Sequence, residues 1–566
     1  MADSPVWPAA PTHMPQSSHV SRRQAWGSRA GLVLAMAGNA VGLGNFLRFP
    51  AQAAQNGGGA FLIPYLVSFV LMGLPLLWVE WAIGRHGGQY GHHSAPGMFD
   101  RLGSARWLKY VGVFGLFTNL TIASYYCYIE SWTLSYVWHS VAGTFLTEDP
   151  QVYFPRYLGV EADSLFAFPV EAFGWFVVTL ALNAWILSRG LARGIEIAAK
   201  VGMPLLLVFA AILAVRGLSL EAGVDPGVMQ SPFEGLNFVW NPDLRGLTDP
   251  TTWLAAAGQI FFTLSVGMGS IHCYAAYLRR DQDIALNAAS AGWMNEFVEV
   301  VLGGTLLLPI ATAYLGLQAV QAATAGGSGF ALGFLTLPTL FNNWGWFAPV
   351  AGAMWFGLLF FAGITSSLAM AQPLVAFLED EFGTTRPRAV VLFVLATLAL
   401  GSVCVWLYPG GAFDEFDYWT GTFALVCFAL GESVIFAWVF GMDRGWAEIT
   451  RGADLAVPRV FRVIIQYVTP AFILLIFVGA LIKPAGAWTD ALASLAGGSG
   501  WPLASDSVIG RLFHTGVTEY RWFTETGAGT PYLIQDLTRV LLLAVFVGCG
   551  WLVRQAWRIK ASGVRR

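Results

Sequence analysis

The chain has 566 residues, 56% of them hydrophobic and only 11% charged, with a mean hydropathy of +0.59. A water-soluble fold of ordinary surface cannot hide that much apolar material, so the solvent for most of the chain is lipid. The net charge of −3 is unremarkable, and the charges lie in short connectors rather than in a basic patch, which excludes nucleic acid as a partner.

The first twenty residues carry four prolines and no hydrophobic core, and they read as a disordered cytoplasmic tail rather than a signal peptide or a domain. Twelve apolar spans follow, near 30–55, 60–84, 107–141, 170–188, 192–216, 250–278, 289–315, 345–379, 387–409, 413–441, 458–483 and 532–556. Each reaches or approaches the roughly 20 residues that a helix needs to cross a bilayer. The expected fold class is an all-α polytopic membrane protein of twelve transmembrane helices.

The connectors orient these spans. Arg22/Arg23/Arg29, Arg85/Arg101/Arg106/Lys109, Arg189/Arg193/Lys200, Arg279/Arg280, Arg386/Arg388, Arg444/Arg451/Arg459 and Arg554/Arg558/Lys560/Arg565/Arg566 all fall on one side, whereas the opposite loops from Ala142 to Pro169 and from Gly316 to Asn342 hold only Arg156 between them. The positive-inside rule then puts both termini in the cytoplasm of a multi-pass protein of the cell's inner or plasma membrane. The stretch at about 484–530, rich in Gly, Trp and Ser, is expected to be an irregular extracellular excursion. Cys127, Cys273, Cys404, Cys427 and Cys549 lack CxxC spacing and sit in apolar runs, as inert buried thiols do.

Two spans are poorly suited to continuous helix. The first holds Gly38, Asn39, Gly42, Gly44 and Asn45 near its centre, and the sixth holds Ser265, Gly267 and Gly269; each glycine weakens a helix by about 1 kcal/mol relative to alanine. An alternative reading of Gly38 and Gly42 is a small-xxx-small packing face. Two interruptions five spans apart fit an inverted repeat of five plus five helices, with the first helix of each repeat broken and a ligand held between them. Amides and carbonyls exposed at membrane depth must line a polar site. Half-helix amino ends favour anions and freed carbonyls favour cations, so the expected ligands are a carboxylate and Na⁺.

Trp26, the run Leu34 to Pro50 (LAMAGNAVGLGNFLRFP) and Asn56 to Pro64 (NGGGAFLIP) resemble the neurotransmitter:sodium symporter family, most strongly its bacterial leucine-transporter (LeuT) type. The resemblance continues in Tyr125 to Leu134 (YYCYIESWTL), Gly258 to Ser265 (GQIFFTLS), Asn295 to Gly304 (NEFVEVVLGG), Phe360 to Asp380 (FFAGITSSLAMAQPLVAFLED) and Asp414 to Thr422 (DEFDYWTGT). It implies the LeuT-type fold, with a first repeat over 21–216, a second over 217–441, and helices 11 and 12 with the long loop in 442–566.

The resemblance also implies a set of sites. One sodium ion would take the Ala40 carbonyl, Asn45, Thr263, Asn295 and the substrate carboxylate; a second would take the Gly38, Val41 and Ala362 carbonyls with the Thr365 and Ser366 hydroxyls. Without the resemblance, Thr365, Ser366 and Ser367 read as hydroxyls bonded back within their own helix. The substrate carboxylate would meet the Leu43 and Gly44 amides and the Tyr126 hydroxyl, beside Asn39, and its amine the Ala40, Phe262 and Thr263 carbonyls and Ser265. Ile122, Tyr126, Phe262, Met268, Ser366 and Met370 would wall the side chain. Gly42 stands where similar monoamine carriers place an aspartate, leaving room for a ligand that brings its own carboxylate. Methionine is an adaptable wall, and aliphatic neutral amino acids are the expected substrate.

Glu299, a carboxylate in the seventh span, is functional by default. In chloride-dependent members a neutral residue stands there and chloride binds beside the equivalents of Tyr65, Gln259, Thr263 and Asn295, so the resemblance implies that Glu299 is the chloride substitute. Glu80 and Glu130 read as acceptors for unwound backbone and neighbouring helices. Arg48 and Asp417 would form the outer gate over Tyr126 and Phe262, and Arg23 and Asp380, with Trp26 and Tyr277, the inner one.

The reading is therefore sodium-coupled symport of a neutral amino acid by alternating access, with two sodium ions, independent of chloride, in a protein that could pair as a homodimer. Transport of another small zwitterion, a channel and a non-transporting amino-acid sensor are the alternatives. An enzyme is disfavoured: no catalytic residues are assigned, no GxxxxGK[ST], HExxH or nucleophile elbow is present, and His92-His93 reads as a loop pair without partners.

Overall fold

The computed structural model describes residues 25–160, 167–242, 244–324, 329–515 and 530–562. The expected tail over 1–20 and Arg23 of the inner gate lie outside the described residues. Among those residues the fold is helical, with one isolated β-bridge between Pro484 and Leu503.

Among the described residues, nine runs of helix are long and apolar enough to cross a membrane: Gly59–Gly88, Val170–Ser188, Leu191–Leu218, Ala285–Leu315, Ala331–Phe382, Arg386–Trp406, Ala412–Thr450, Val460–Leu481 and Tyr532–Ala561. They match nine of the twelve predicted spans. The first and sixth fall outside that measure because they are broken. The third is a continuous helix, Val113–Val141, but Thr, Ser, Asn and Tyr side chains crowd its centre, where it runs through the bundle against Ala348–Phe382.

The breaks lie where the glycines fall, beside asparagine in the first and serine in the second. Helix α1 (Arg29–Ala40) starts on Ser28, whose hydroxyl accepts from Gly31 N at 3.0 Å, as an N-cap does. It stops at Val41 and Gly42, both extended, and the chain resumes as α2 (Leu43–Phe46) and α3 (Arg48–Gln55). Asn45 caps the restart, its Oδ1 accepting from Gly42 N at 2.8 Å.

The next elements that position the site are α4 (Leu74–Gly88), α5 (Val113–Val141), α6 (Val170–Ser188) and α7 (Glu196–Leu218). Helix α8 (Pro250–Leu264) begins on Asp249, which accepts from Thr251 N at 2.8 Å, with proline at its first position. It ends at Ser265, which is left-handed (φ 55°); Gly267 (φ 71°) and Gly269 (φ 98°) follow before α9 (Ser270–Ala275). A side chain at Gly267 would be strained by its φ and would also put Cβ 2.4 Å from the Leu425 carbonyl, so only glycine serves there. Helices α10 (Ala285–Glu296), α11 (Ala348–Phe382), α12 (Leu425–Val434) and α13 (Thr530–Ala561) complete the frame.

Two boundary readings change. The eighth span starts at Ala348, because Gly345 (φ 57°, ψ −129°) breaks the chain just before it. The segment read as irregular over 484–530 contains helices Trp488–Ala496 and Val508–Leu512, with Ser507 capping the second; residues 516–529 lie outside the described residues.

Candidate functional site

The two breaks face each other across a cavity at the centre of the bundle. Ser265 Oγ donates to the Asn39 carbonyl at 2.9 Å, and Ser366 Oγ of α11 donates to the Gly38 carbonyl at 3.0 Å. Asn39, Ala40 and Gly44 line the cavity from the first break, Phe262, Thr263, Ser265 and Met268 from the second, Ile122 and Tyr126 from α5, and Ser366 and Met370 from α11. Of the expected substrate residues only Leu43 is absent from this lining, and its amide donates to the Tyr126 hydroxyl at 3.1 Å just behind it. The lining also includes Gly42, Asn45, Tyr125, Gly421 and Leu425. Tyr125, Gly421 and Leu425 were not anticipated; Tyr125 adjoins Tyr126, and Gly421 follows Asp417 by one helical turn, which is the signal the sequence offered.

Close approach explains Gly42 more fully than ligand room alone. A Cβ there would lie 2.7 Å from Tyr126 Oη and 3.3 Å from Ser366 Oγ. The glycine lets α5 and α11 bring two hydroxyls onto the broken backbone. Asn39 is 1% exposed, and neither its Oδ1 nor its Nδ2 has a hydrogen-bond partner among the described residues. Buried polar groups seldom stay unpaired in a finished protein.

Beside the cavity lies a fully buried polar cluster. Asn45 Nδ2 reaches Asn295 Oδ1 (2.9 Å), Thr263 Oγ1 (3.3 Å) and Glu299 Oε2 (3.2 Å), and Asn295 Nδ2 donates to Thr263 Oγ1 at 3.0 Å. Thr263 and Gln259 both donate to Glu299, the latter at 2.6 Å. The structure therefore gathers Asn45, Thr263 and Asn295 around the Glu299 carboxylate, next to Ala40. Their oxygens are the hard donors that suit an alkali cation. Glu296, one turn from Glu299, was missed by the sequence reading; it is 4% exposed and Asn295 Nδ2 lies 3.4 Å from its Oε1. A pair of carboxylates at i and i+3 in an apolar span is the pattern that marked it.

The second expected cation set is brought together with one difference. Gly38 packs on Thr365, with a virtual Cβ 2.9 Å from the Thr365 Cβ, and Ser366 bridges Gly38 and Ala362. Thr365 itself donates back to Phe361 (2.9 Å) and Ala362 (3.1 Å) within α11, the arrangement that its residue type favours in a helix. Val41 is the extended residue at the break.

Glu80 and Glu130 have the structural partners expected of them. Glu80 Oε1 accepts from the unwound Gly267 amide at 2.6 Å. Glu130 takes Asn183 Nδ2 of α6 at 3.1 Å, and Asn183 in turn accepts from Ser367 of α11 at 2.8 Å. The freed Met268 carbonyl is met by Thr118 (3.0 Å) and Asn119 (2.7 Å) of α5.

The gates depart from the expected pairing. Arg48 lies 4.3 Å over the Phe262 ring, and Asp417 accepts from the Tyr125 hydroxyl at 2.8 Å; no ion pair between the two charges is found among the described residues. A guanidinium finds in the ring face an attraction that needs no carboxylate. Among the residues expected at the inner gate, Trp26 donates to the Tyr274 carbonyl at 3.1 Å, and Tyr277 accepts from Gln372 at 2.9 Å. Asp380 is held by the His93 amide (2.7 Å) and Nδ1 (3.0 Å), with the His93 ring stacked on Tyr277, while His92 meets Glu381 at 3.0 Å. The reading of His92-His93 as unpartnered is thereby corrected: the α11 carboxylates, remote in sequence, reach that loop.

Comparison with known proteins agrees with this architecture. The pattern of the Sodium:neurotransmitter symporter family matches residues 23–151 and 169–509. An uncharacterized sodium-dependent transporter of Methanocaldococcus jannaschii is 31% identical over 459 residues, covering 79% of this chain and 88% of its own. The sodium-dependent nutrient amino acid transporter 1 of Drosophila erecta is 25% identical over 82% of this chain and 78% of its own. The crystal structure of MhsT in complex with L-phenylalanine superposes with a TM-score of 0.69 at 29% identity, covering 81% of this chain and 99% of MhsT. The fold is the LeuT type, the protein is a multi-pass membrane transporter rather than an enzyme, and sodium is its coupling ion. The chain belongs to the sodium:neurotransmitter symporter family.

Proposed function

We propose that this protein imports a neutral, aliphatic amino acid together with two sodium ions, by alternating access and without chloride. The observation that carries this reading is the first break: Gly42 leaves no acidic side chain in the cavity, Gly44 of the restarting chain lines it, and the Asn39 side chain there has no hydrogen-bond partner among the described residues. A zwitterion fits these groups. Its carboxylate is favoured by the amino end of the restarting half-helix, at Leu43 and Gly44, and by the Tyr126 hydroxyl, which already accepts from Leu43 N and so has its proton free to donate. Its amine is favoured by the carbonyl ends at Ala40 and at Phe262 and Thr263.

The walls support an amino acid with an apolar side chain, since Ile122, Phe262, Met268 and Met370 surround the space. That MhsT holds L-phenylalanine is in line with this chemistry. Sodium 1 is assigned to Ala40, Asn45, Thr263 and Asn295 with the substrate carboxylate, and sodium 2 to Gly38, Val41, Ala362, Thr365 and Ser366. Glu299 supplies the fixed negative charge beside sodium 1, taking donors from Gln259 and Thr263 that would otherwise serve a mobile anion. The two repeats, 21–216 and 217–441, move against each other, with both termini cytoplasmic. Each Na⁺ moving inward gains about 2.3 kcal/mol per 100 mV of membrane potential, the source of the work.

The test is a competition panel of the natural amino acids against tritiated leucine on purified protein, followed by uptake into proteoliposomes with and without a sodium gradient. Sodium-driven accumulation blocked by aliphatic amino acids is expected. Binding without accumulation would make the protein a sensor and overturn the transport reading.

A further inference from the structure

One group of titratable side chains takes no part in the site above as a ligand. Glu80 of α4, His272 of α9 and Glu432 of α12 converge: Glu80 Oε2 is 3.2 Å from His272 Nδ1, Glu432 Oε2 is 3.3 Å from His272 Nε2, and all three side chains are fully buried. Their separations are those of hydrogen bonds, but the alignment is not, and among the described residues both ring nitrogens, Glu80 Oε2 and both Glu432 oxygens have no other partner. Phe99 and Phe428 flank the ring, each with its centroid 5.9 Å away. The charged groups nearest the other side of α9, Asp380, Glu379 and Arg386, act on Cys273. His86, further along α4, packs on Tyr90 and Phe440. From α5 the neighbouring polar group is the neutral Asn119.

A neutral imidazole has one N–H. It can donate to one of these carboxylates and must turn a lone pair toward the other, and two anions beside a lone pair in a dry site are unfavourable. Only the imidazolium donates to both, and one further proton on Glu432 makes the group neutral. One ligand atom from each of the three residues also lies within 4.8 Å of the others, so a metal ion is the competing occupant that the test below must separate from protons. The group is also linked to the transport site: the other oxygen of Glu80 accepts from Gly267 N at 2.6 Å, between Ser265 and Met268, which line the cavity.

We propose that Glu80, His272 and Glu432 form a proton-binding site, and that its occupancy sets the shape of the second helix break and with it the affinity for substrate. With both protons bound, on His272 and on Glu432, Glu80 is held by His272 and by Gly267 together. When both protons leave to solvent, one from the imidazolium and one from the Glu432 carboxyl, Glu80 and Glu432 confront a neutral ring, Glu80 turns, and the Gly267 amide loses its anchor. His272 and Glu432 are thus positioning residues that act through Glu80.

This inference rests on the amino-acid reading, and the test separates the two. In sodium-dependent binding of tritiated leucine to the full-length protein, affinity is expected to fall about tenfold between about pH 6 and about pH 9, and by less than about twofold in His272→Gln. Infrared difference spectra over the same titration read the site without substrate: a protonated-carboxyl band that titrates in the wild-type protein should vanish in Glu432→Gln. An unchanged pH profile in His272→Gln, or no titrating band in the wild-type protein, overturns the proposal. So would inhibition by Zn²⁺ that His272→Gln abolishes, which would make the group a metal site. A titrating band with no leucine binding at any pH would sink the amino-acid reading and leave the proton site standing.

Discussion

Gly42→Ala tests the site at its tightest point. Gly42 has φ −120° and ψ −168°, which alanine adopts freely, so backbone strain contributes nothing and only the new methyl matters. Its Cβ would stand 2.7 Å from Tyr126 Oη, whereas ordinary contact begins near 3.4 Å, so the ring must retreat by about 0.7 Å, the difference of the two. Ser366 Oγ, at 3.3 Å on another side, limits the escape of the backbone. Such overpacking costs about 1–3 kcal/mol, and moving the hydroxyl out of reach of Leu43 N forfeits a further 0.5–1.5 kcal/mol, roughly the worth of one hydrogen bond. Because the Tyr126 hydroxyl is assigned to the substrate carboxylate, the loss should appear in binding: 1.4 kcal/mol per factor of ten gives a fall of about tenfold or more in sodium-dependent leucine affinity. Equilibrium binding by scintillation proximity on purified protein measures this. Affinity within about threefold of wild type, in a variant that melts like wild type, would refute the reasoning.

Three further outcomes are expected. Exchanging chloride for gluconate should leave sodium-driven uptake unchanged, because Glu299 holds the donors a chloride ion would need; a collapse of uptake would remove that role. Thr365→Ala should lose the steep dependence of binding on sodium concentration, with the Na⁺ titration of leucine binding as the readout, and an unchanged titration would count against the second cation set. Asn39→Ala deletes two unpartnered buried polar atoms, each costing about 1–3 kcal/mol, so the substrate-free protein should melt no lower than wild type while leucine affinity falls. A lower melting temperature with intact affinity would mean that Asn39 serves the fold and not the ligand.

Much of this arrangement was legible because it is written in local chemistry. Glycine at mid-span, joined by asparagine in the first span and by serine in the sixth, announced both breaks, and Glu80 opposite the second break was readable as an acceptor because an intramembrane carboxylate has few other uses. What could not be read were contacts that depend on side-chain direction. The charges of Arg48 and Asp417 suggested a pair, yet Arg48 extends over Phe262 while Asp417 is taken by Tyr125, two rings whose placement only the packed bundle decides. His92 and His93 seemed isolated in sequence because their partners, Glu381 and Asp380, lie nearly three hundred positions away at the end of α11. Leu425 entered the cavity for a similar reason: it is an unmarked apolar residue, and nothing but the fold distinguishes it from its neighbours.

The two breaks are not equivalent, and the difference bears on how the site works. At the second, the protein satisfies the freed backbone itself: Glu80 takes Gly267 N, Thr118 and Asn119 take the Met268 carbonyl, and Ser265 spans to Asn39. At the first, the Gly42 and Leu43 amides are met by Asn45 and Tyr126 and the Gly38 and Asn39 carbonyls by Ser366 and Ser265, but the Asn39 side chain has no partner among the described residues. Unpaired polar groups in a bilayer interior are costly unless something supplies the missing bonds. The first break therefore depends on what binds there, and cations and substrate can stabilise it by contributing ligands. The second is braced by Thr118, Asn119 and Glu80 of the protein itself, and on the proposed reading its geometry answers to Glu80 and the groups that hold Glu80 in place. On the proposed reading, binding energy enters through α1 and α2, and α9, anchored on α4, is the element against which that energy does its work.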